Sequence, residues 1–304
     1  RSPGVFFSEE KHPSGKTLYS AKVIPYSGSW LDFDIDIHDV MFVHIDKRRK
    51  LPVTTLFRAI GISTNEDLRK TFYKSERLNL KEAKGRHLFA DIYEPDNPTP
   101  IAIANEQVTD TLIKILMEKQ IDKVEVIDYA YEIARKVLEN TLAKDPTTNQ
   151  EEALKKIYSL IRPGEDAPLD AAKQLVDRMF FNEKRYNLGE VGRYKINTRL
   201  GIDVDPTVKT LTVEDFVHIF KTLINIYHDE DEVDDIDNLA NRRVRTVGEL
   251  LQEQYTIRMA MISRIIQQRM AISNIDEITV HDLVNSNALI SVVQSFFLTG
   301  QLSQ

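Results

Sequence analysis

The sequence predicts an α+β fold, with mixed strand and helix through roughly the first hundred residues and helix from about residue 110 onward. Two patterns carry the expectation. Leu31, Phe33, Ile35 and Ile37 alternate with Asp32, Asp34 and Asp36, the period of a strand with one apolar and one anionic face. Beyond residue 110, apolar residues recur at spacings of three and four over segment after segment, the period of amphipathic helices. A third signal is punctuation: Arg162-Pro163-Gly164 breaks two helical patterns apart, and an acidic run at 229–237 separates the earlier helices from the last ones.

In chain order, Lys16 to Pro25 carries Thr17, Tyr19, Val23 and Ile24 and reads as a strand, ended by Pro25 and the turn formers Ser27-Gly28. The alternating stretch from Leu31 pairs with Met41 to Asp46 through a His38-Asp39 turn, giving an antiparallel hairpin. Leu51 to Ile60 reads as a helix with Pro52 in its first turn and Gly61 beyond its end. Ser63-Thr64-Asn65-Glu66 has capping-box spacing for a second helix through Phe72. Helices follow over Asp110–Gln120, Ile127–Leu142, Asn149–Ile161 and Leu169–Phe181. Thr212 opens another to about Ile226, with Glu214 and Asp215 suited to its positive N-terminal end. A long helix over Val247–Ile272 and a last one over Ala288–Phe297 complete the pattern, and the domain boundary is expected near residue 235.

A chain of 304 residues accommodates one large domain or two ordinary ones, and 42% hydrophobic with 29% charged residues is the balance of a soluble globular protein. Neither an apolar stretch of about 18 residues nor a signal-peptide pattern occurs, so no membrane partner is expected. The absence of cysteine excludes disulfides, thiolate metal sites and cysteine nucleophiles, and fits a cytoplasmic protein. The net charge of −7 is segregated: residues 47–50 and 242–245 are basic while 229–237 is acidic, so one surface can still meet a polyanion. The chain opens on Arg1 and stops at Gln304 in mid-pattern, and is expected to be a piece of a longer polypeptide.

No catalytic residue and no metal site is expected. Asp32, Asp34 and Asp36 have D-x-D-x-D spacing, but alternate residues of a regular strand stand roughly 7 Å apart, too far for one ion. The acidic run lacks a calcium loop's glycine and closing glutamate, and its first half reads as a solvated linker. The seven histidines are scattered, and no phosphate-loop or dinucleotide glycine pattern occurs.

What remains is nucleic-acid chemistry. Lys47, Arg48, Arg49 and Lys50 at a strand-to-helix junction suit phosphate contacts, which position a duplex without reading it; a bland surface loop is the alternative. Arg245, in the second basic cluster, is assigned the same role. Trp30, the one tryptophan, follows Gly28-Ser29 and either fills the core or presents its ring for stacking on an unpaired base. Arg242 offers paired donors and Asp237 accepts from a guanine's Watson–Crick edge; alternatively Asp237 pairs with Arg242 or Arg243.

The runs Asp234-Asp235-Ile236-Asp237-Asn238-Leu239-Ala240-Asn241-Arg242-Arg243-Val244-Arg245, Gly28-Ser29-Trp30-Leu31-Asp32-Phe33 and Ile45-Asp46-Lys47-Arg48-Arg49-Lys50-Leu51-Pro52-Val53-Thr54-Thr55 lie in order and at sensible distances. With Arg1-Ser2-Pro3-Gly4-Val5-Phe6-Phe7, Arg162-Pro163-Gly164-Glu165, Asn182 to Leu188, Thr246 to Leu250 and the closing Gly300 to Gln304, they resemble the beta subunit of bacterial RNA polymerase. The resemblance implies that residues 1–234 form the beta lobe and 235–304 the C-terminal portion of the protrusion, one jaw of the downstream DNA channel. It also implies a non-template-strand pocket of Arg1, Asp237 and Arg242, with Trp30 stacking on the preceding base. Leu302, Ser303 and Gln304 look like the first edge of the rifamycin-binding segment. The family's catalytic magnesium belongs to the beta-prime subunit, so the implied role is non-catalytic within a nucleotidyltransferase. Its implied partners are DNA, the alpha, beta-prime and omega subunits, sigma factor and transcription factors. A competing reading makes the chain an interaction module docking initiation or elongation factors. Two departures stand out: Ser27 where many relatives have Arg, and Asn238-Leu239-Ala240 where they have His-Leu-Gly.

Overall fold

A computed structural model describes residues 1–94, 98–165, 168–272, 279–284 and 287–298, and has the α+β fold that the sequence predicts. Two compact units divide the chain, Arg1–Arg242 and Arg243–Gln304, so residues 235–242 side with the first unit.

The first unit is built on an antiparallel sheet whose strands lie in sequence order: β1 (Gly4–Lys11), β2 (Thr17–Ile24), β3 (Leu31–Ile35), β4 (Met41–Ile45) and β5 (Leu51–Pro52). The predicted hairpin is present, with Leu31 opposite Ile45 and Ile35 opposite Met41 across a turn where Asp39 takes φ 59°. β1 was not legible as a strand because Val5, Phe6 and Phe7 are all buried, which removes the alternation. Leu51 and Pro52 pair with Val43 and Phe42, so the helix expected from Leu51 starts later, as α1 (Val53–Ala59).

In α2 (Asn65–Phe72) the capping box is closed one register later than expected. Thr64 Oγ1 accepts from the Asp67 amide at 3.0 Å, and Asp67 accepts back from the Thr64 amide at 3.2 Å. A small module follows: β6 (Ser75–Asn79), β7 (Ile92–Tyr93), β8 (Pro100–Ala102), α3 (Asp110–Glu118) and β9 (Lys123–Ile127). It has its own core of Leu80, Leu88, Val108, Leu112, Leu116, Val124 and Val126. Ile127 therefore closes a strand, and the helix expected to start there begins at Glu132, as α4 (Glu132–Lys144).

α5 (Gln150–Ile161), α6 (Leu169–Phe180), α7 (Gly189–Leu200) and α8 (Val213–Tyr227) complete the first unit. Its main core joins the inner sheet face, through Phe33, Met41 and Val43, to Phe57, Phe72 and Phe220, whose rings stack at 4.2–5.8 Å between centroids. Two ion pairs are sealed inside. Arg58 meets Asp145, which also accepts from Thr54, Thr55 and Thr147. Arg193 on α7 holds Asp215 on α8 at 2.7 and 3.0 Å, both side chains fully buried, while Asp215 caps α8 against Thr212. The second unit contains α9 (Val247–Ile272), α10 (Val280–Leu283) and α11 (Asn287–Leu298).

Candidate nucleic-acid interface

The sheet register gathers the candidate residues. Val5 lies opposite Val23, Val23 opposite Leu31 and Leu31 opposite Ile45. The start of β1, the end of β2, the start of β3 and the end of β4 therefore share one end of the sheet, with strands about 4.8 Å apart. Arg1, Trp30 and the Lys47–Lys50 run all belong to that end.

Trp30 is presented, not buried, with 41% of its surface exposed. Gly28 makes this possible. Its φ of 133° is one that a side chain rarely adopts, and a Cβ there would stand 2.7 Å from the Tyr186 ring. The backbone thus closes over Tyr186 and a two-way bridge between Ser27 and Asn187 pins the turn. Trp30 is then fixed by its own amide, which donates to Asp46 Oδ1 at 2.8 Å, while its carbonyl accepts from the Asp46 amide at 3.0 Å.

Asp46 and Lys47 both take positive φ, 49° and 57°, and the Arg48 amide bonds back to Ile45 at 3.0 Å. Two consecutive residues of positive φ make this a tight turn. It splits the four cations. Arg48 donates to the Ile161 carbonyl at 3.0 Å, capping the last turn of α5, and Lys50 sits 4.1 Å over the Phe42 ring. Lys47 and Arg49 are exposed and make no hydrogen bond or ion pair among the described residues.

The acidic run is not the solvated linker expected for its first half. It forms a strap along the outer edge of β1. The Asp234 amide donates to the Phe7 carbonyl at 2.9 Å, and the Phe7 amide to Asp234 Oδ2 at 2.7 Å. Arg199 of α7 holds Asp231 at 3.0 Å and Asp234 at 2.9 Å. Further on, the Ser2 amide donates to the Asn241 carbonyl at 3.1 Å, so Arg1 and Arg242 flank one backbone bond. Between these ties the loop binds itself: Asp235 Oδ1 accepts the Asp237 amide, Asn238 Oδ1 the Ala240 amide, and the Asp235 carbonyl the Asn241 side-chain amide. Ala240 sits in a short 3-10 turn without positive φ, a conformation open to alanine.

On this braced loop the side chains of Asp237 and Arg242 are exposed, and neither makes a hydrogen bond or ion pair among the described residues. Arg1 is exposed and equally unengaged. Arg243 meets Glu249. In the second unit, Arg245 pairs with Glu253, an exposed contact that competes with a phosphate. Leu302, Ser303 and Gln304 lie outside the described residues.

Asp32 and Asp34 of β3 and the following Asp36 do not gather into one group. Asp34 leans toward His44 at 3.6 Å and its carboxyl is pushed up by burial, Asp36 accepts the His38 and Val40 amides, and Asp32 stands opposite Lys22 and His44. Asp34 and Asp36 have partners, whereas a buried oxygen of Asp32 has none, and no cluster able to ligate a metal occurs among the described residues. Nor is any described helix long and apolar enough to cross a membrane.

Reasoning from sequence missed Lys195 and Arg199, the cations of α7 that grip the strap. Their spacing of four puts both on one helix flank. α7 shows no apolar stripe that would have revealed the helix.

A family described as RNA polymerase Rpb2, domain 2, matches residues 1–97 and 117–245. The chain is 40% identical over 334 residues to the DNA-directed RNA polymerase subunit beta of Flavobacterium psychrophilum, and 40% over 328 residues to that of Phocaeicola vulgatus. Porphyromonas gingivalis has a similar subunit, 40% identical over 333 residues. Each alignment covers 100% of this chain and 26% of the relative, so the chain spans about a quarter of their length.

Proposed function

From the premise that this chain belongs to the beta-subunit family of bacterial DNA-directed RNA polymerase, we propose that it forms one jaw of the downstream DNA cleft and contacts the non-template strand. One observation carries the reading. Asp237 and Arg242 stand exposed, with side chains unpaired among the described residues, on a loop whose backbone is bonded internally and tied through Asn241 to Ser2, the residue after Arg1. A charge left free on a rigid support is available to a ligand. An arginine fork with a nearby carboxylate matches the donors and acceptors of a guanine edge. Trp30, exposed at the same sheet end, stacks on the neighbouring base, and Lys47 and Arg49 meet phosphates.

In this reading the chain contributes positioning, not bond-making, to a nucleotidyltransferase whose catalytic magnesium is held by the beta-prime subunit. The alpha, beta-prime and omega subunits, sigma factor and transcription factors are its protein partners, in the cytoplasm. The test compares complete polymerases, with and without Asp237→Ala, on templates carrying each of the four bases at the contacted non-template position. The preferred base is expected to lose about 1–3 kcal/mol and the others much less. Equal loss for all four bases would remove the pocket.

A further inference from the structure

Lys195, on α7, reaches three oxygens with its one ammonium group. Nζ donates to Ser2 Oγ at 2.7 Å, to the Ala240 carbonyl at 2.6 Å and to Asn241 Oδ1 at 3.2 Å. These are the residue that follows Arg1 and the two that precede Arg242. An ammonium has three donors, so its valence is used up by this junction. The stem is closely held as well. Gly4 takes φ 147°, and a Cβ there would stand 3.2 Å from Lys195 Cβ, while Nζ lies 5.6 Å from the Phe6 ring. Burial lowers the ammonium's pKa, against the pull of the nearby Asp234 carboxylate.

Four residues along the same helix, Arg199 grips Asp231 and Asp234. The two cations divide the work. Arg199 secures the acidic first half of the strap to β1, and Lys195 secures the half that bears Asp237 and Arg242. Arg1 and Arg242 lie on segments distant in sequence, so their separation is set only by what joins those segments. Beside them that is the Ser2–Asn241 backbone bond and Lys195, with the Phe7–Asp234 bonds further along.

We propose that Lys195 is a positioning residue for base recognition: it fixes Arg1 and Arg242 in register across the Ser2–Asn241 junction without itself touching DNA. A recognition group must be held to within roughly half an ångström, and long exposed side chains hold such tolerance only if their backbones do. The inference rests on the non-template pocket proposed above.

Lys195→Met keeps the stem against Gly4 and Phe6 and removes all three donors; Lys195→Arg keeps donors. Both are made in the complete polymerase beside Asp237→Ala. Lys195→Met is expected to speed amide exchange at Ser2, and to reduce discrimination among the four bases about tenfold with the affinity for disfavoured bases held. Lys195→Arg is expected to restore most of that discrimination. Unchanged exchange at Ser2 overturns the junction. Unchanged discrimination in Lys195→Met, or an equal affinity loss for every base, overturns the positioning role where Asp237→Ala still abolishes preference. If Asp237→Ala itself leaves the preference intact, the pocket has failed in a variant that leaves Lys195 untouched, and the inference falls with it.

Discussion

The two ends of the five-stranded sheet treat charge in opposite ways. At the end holding the β1–β2 and β3–β4 turns, Asp39 is nearly enclosed. It accepts from Lys16, from Lys136 at 2.8 Å and from the Tyr227 hydroxyl at 2.6 Å. At the other end, Lys47, Arg49, Arg1, Asp237 and Arg242 stand exposed and unengaged among the described residues, beside an exposed Trp30. A charge whose valences are filled within the protein fastens the fold and has little left for a ligand. A charge left open on a braced backbone costs little in water and is available for binding. The same sequence feature, a charged residue in a turn, therefore carries opposite meanings at the two ends. Only the pairing tells them apart.

The largest effect is expected where the free end is braced from behind. Arg193 and Asp215 lock α7 to α8, and α7 carries both cations that hold the strap. Arg193→Met leaves Asp215 charged, buried and uncompensated, and is expected to cost about 3–5 kcal/mol in urea unfolding of the chain. Adding Asp215→Leu should recover part of that loss, because an apolar pair removes the stranded charge. If Arg193→Met unfolds like the parent, the bracing role assigned to α7 is wrong.

The tied end is sharpened by acid. Burial alone would raise the Asp39 carboxyl, but hydrogen bonds from Lys136, Lys16 and Tyr227 outweigh it and hold the pKa at about 2, below the ordinary 3.8. A depressed carboxylate stabilises the folded state above its unfolded pKa and loses that contribution as pH falls toward the folded value. The window is therefore about pH 4 down to about pH 2, and the full contribution is about 2 kcal/mol. Asn tolerates the positive φ at this position, so Asp39→Asn should unfold with a parent-minus-variant difference that shrinks by that amount across the window. A difference independent of pH would mean that the three donors do not act on this carboxylate.

The sheet hairpin and the capped α8 were legible in the sequence because one face of each element, or its cap, dominates its pattern. The elements that build the interface were hidden for the opposite reason. The first half of β1, Gly4 to Phe7, is buried at every residue, so both faces are covered and its alternation disappears. α7 turns Arg193 and Ile196 into the core and Lys195 and Arg199 toward the strap, so charge and burial do not separate. The acidic run read as a linker because its partners, Arg199 and Phe7, lie far away in sequence. The site residues themselves could be named from local chemistry and resemblance. That the Asp237 and Arg242 side chains stay unpaired depends on how the loop around them is bonded, which local chemistry does not specify.

The smallest effect offers the cleanest contrast, because it lies within four consecutive residues. Arg48 is bonded to the Ile161 carbonyl and Lys50 is placed over Phe42, whereas Lys47 and Arg49 are open. If open charges are the ones that meet DNA, replacing Lys47 and Arg49 by alanine in the complete polymerase should flatten the salt dependence of promoter binding by about one unit of slope per cation. The ranking of promoters should persist, since phosphate contacts carry no base information. Replacing Arg48 and Lys50 instead should cost about 0.5–1 kcal/mol of stability through the lost helix-end and ring contacts, with a smaller change of slope. The two double variants remove the same formal charge from the same turn, so a long-range field alone predicts identical slopes. Equal flattening in both would show that these cations act through bulk charge, and that the division between tied and open groups does not extend to this turn.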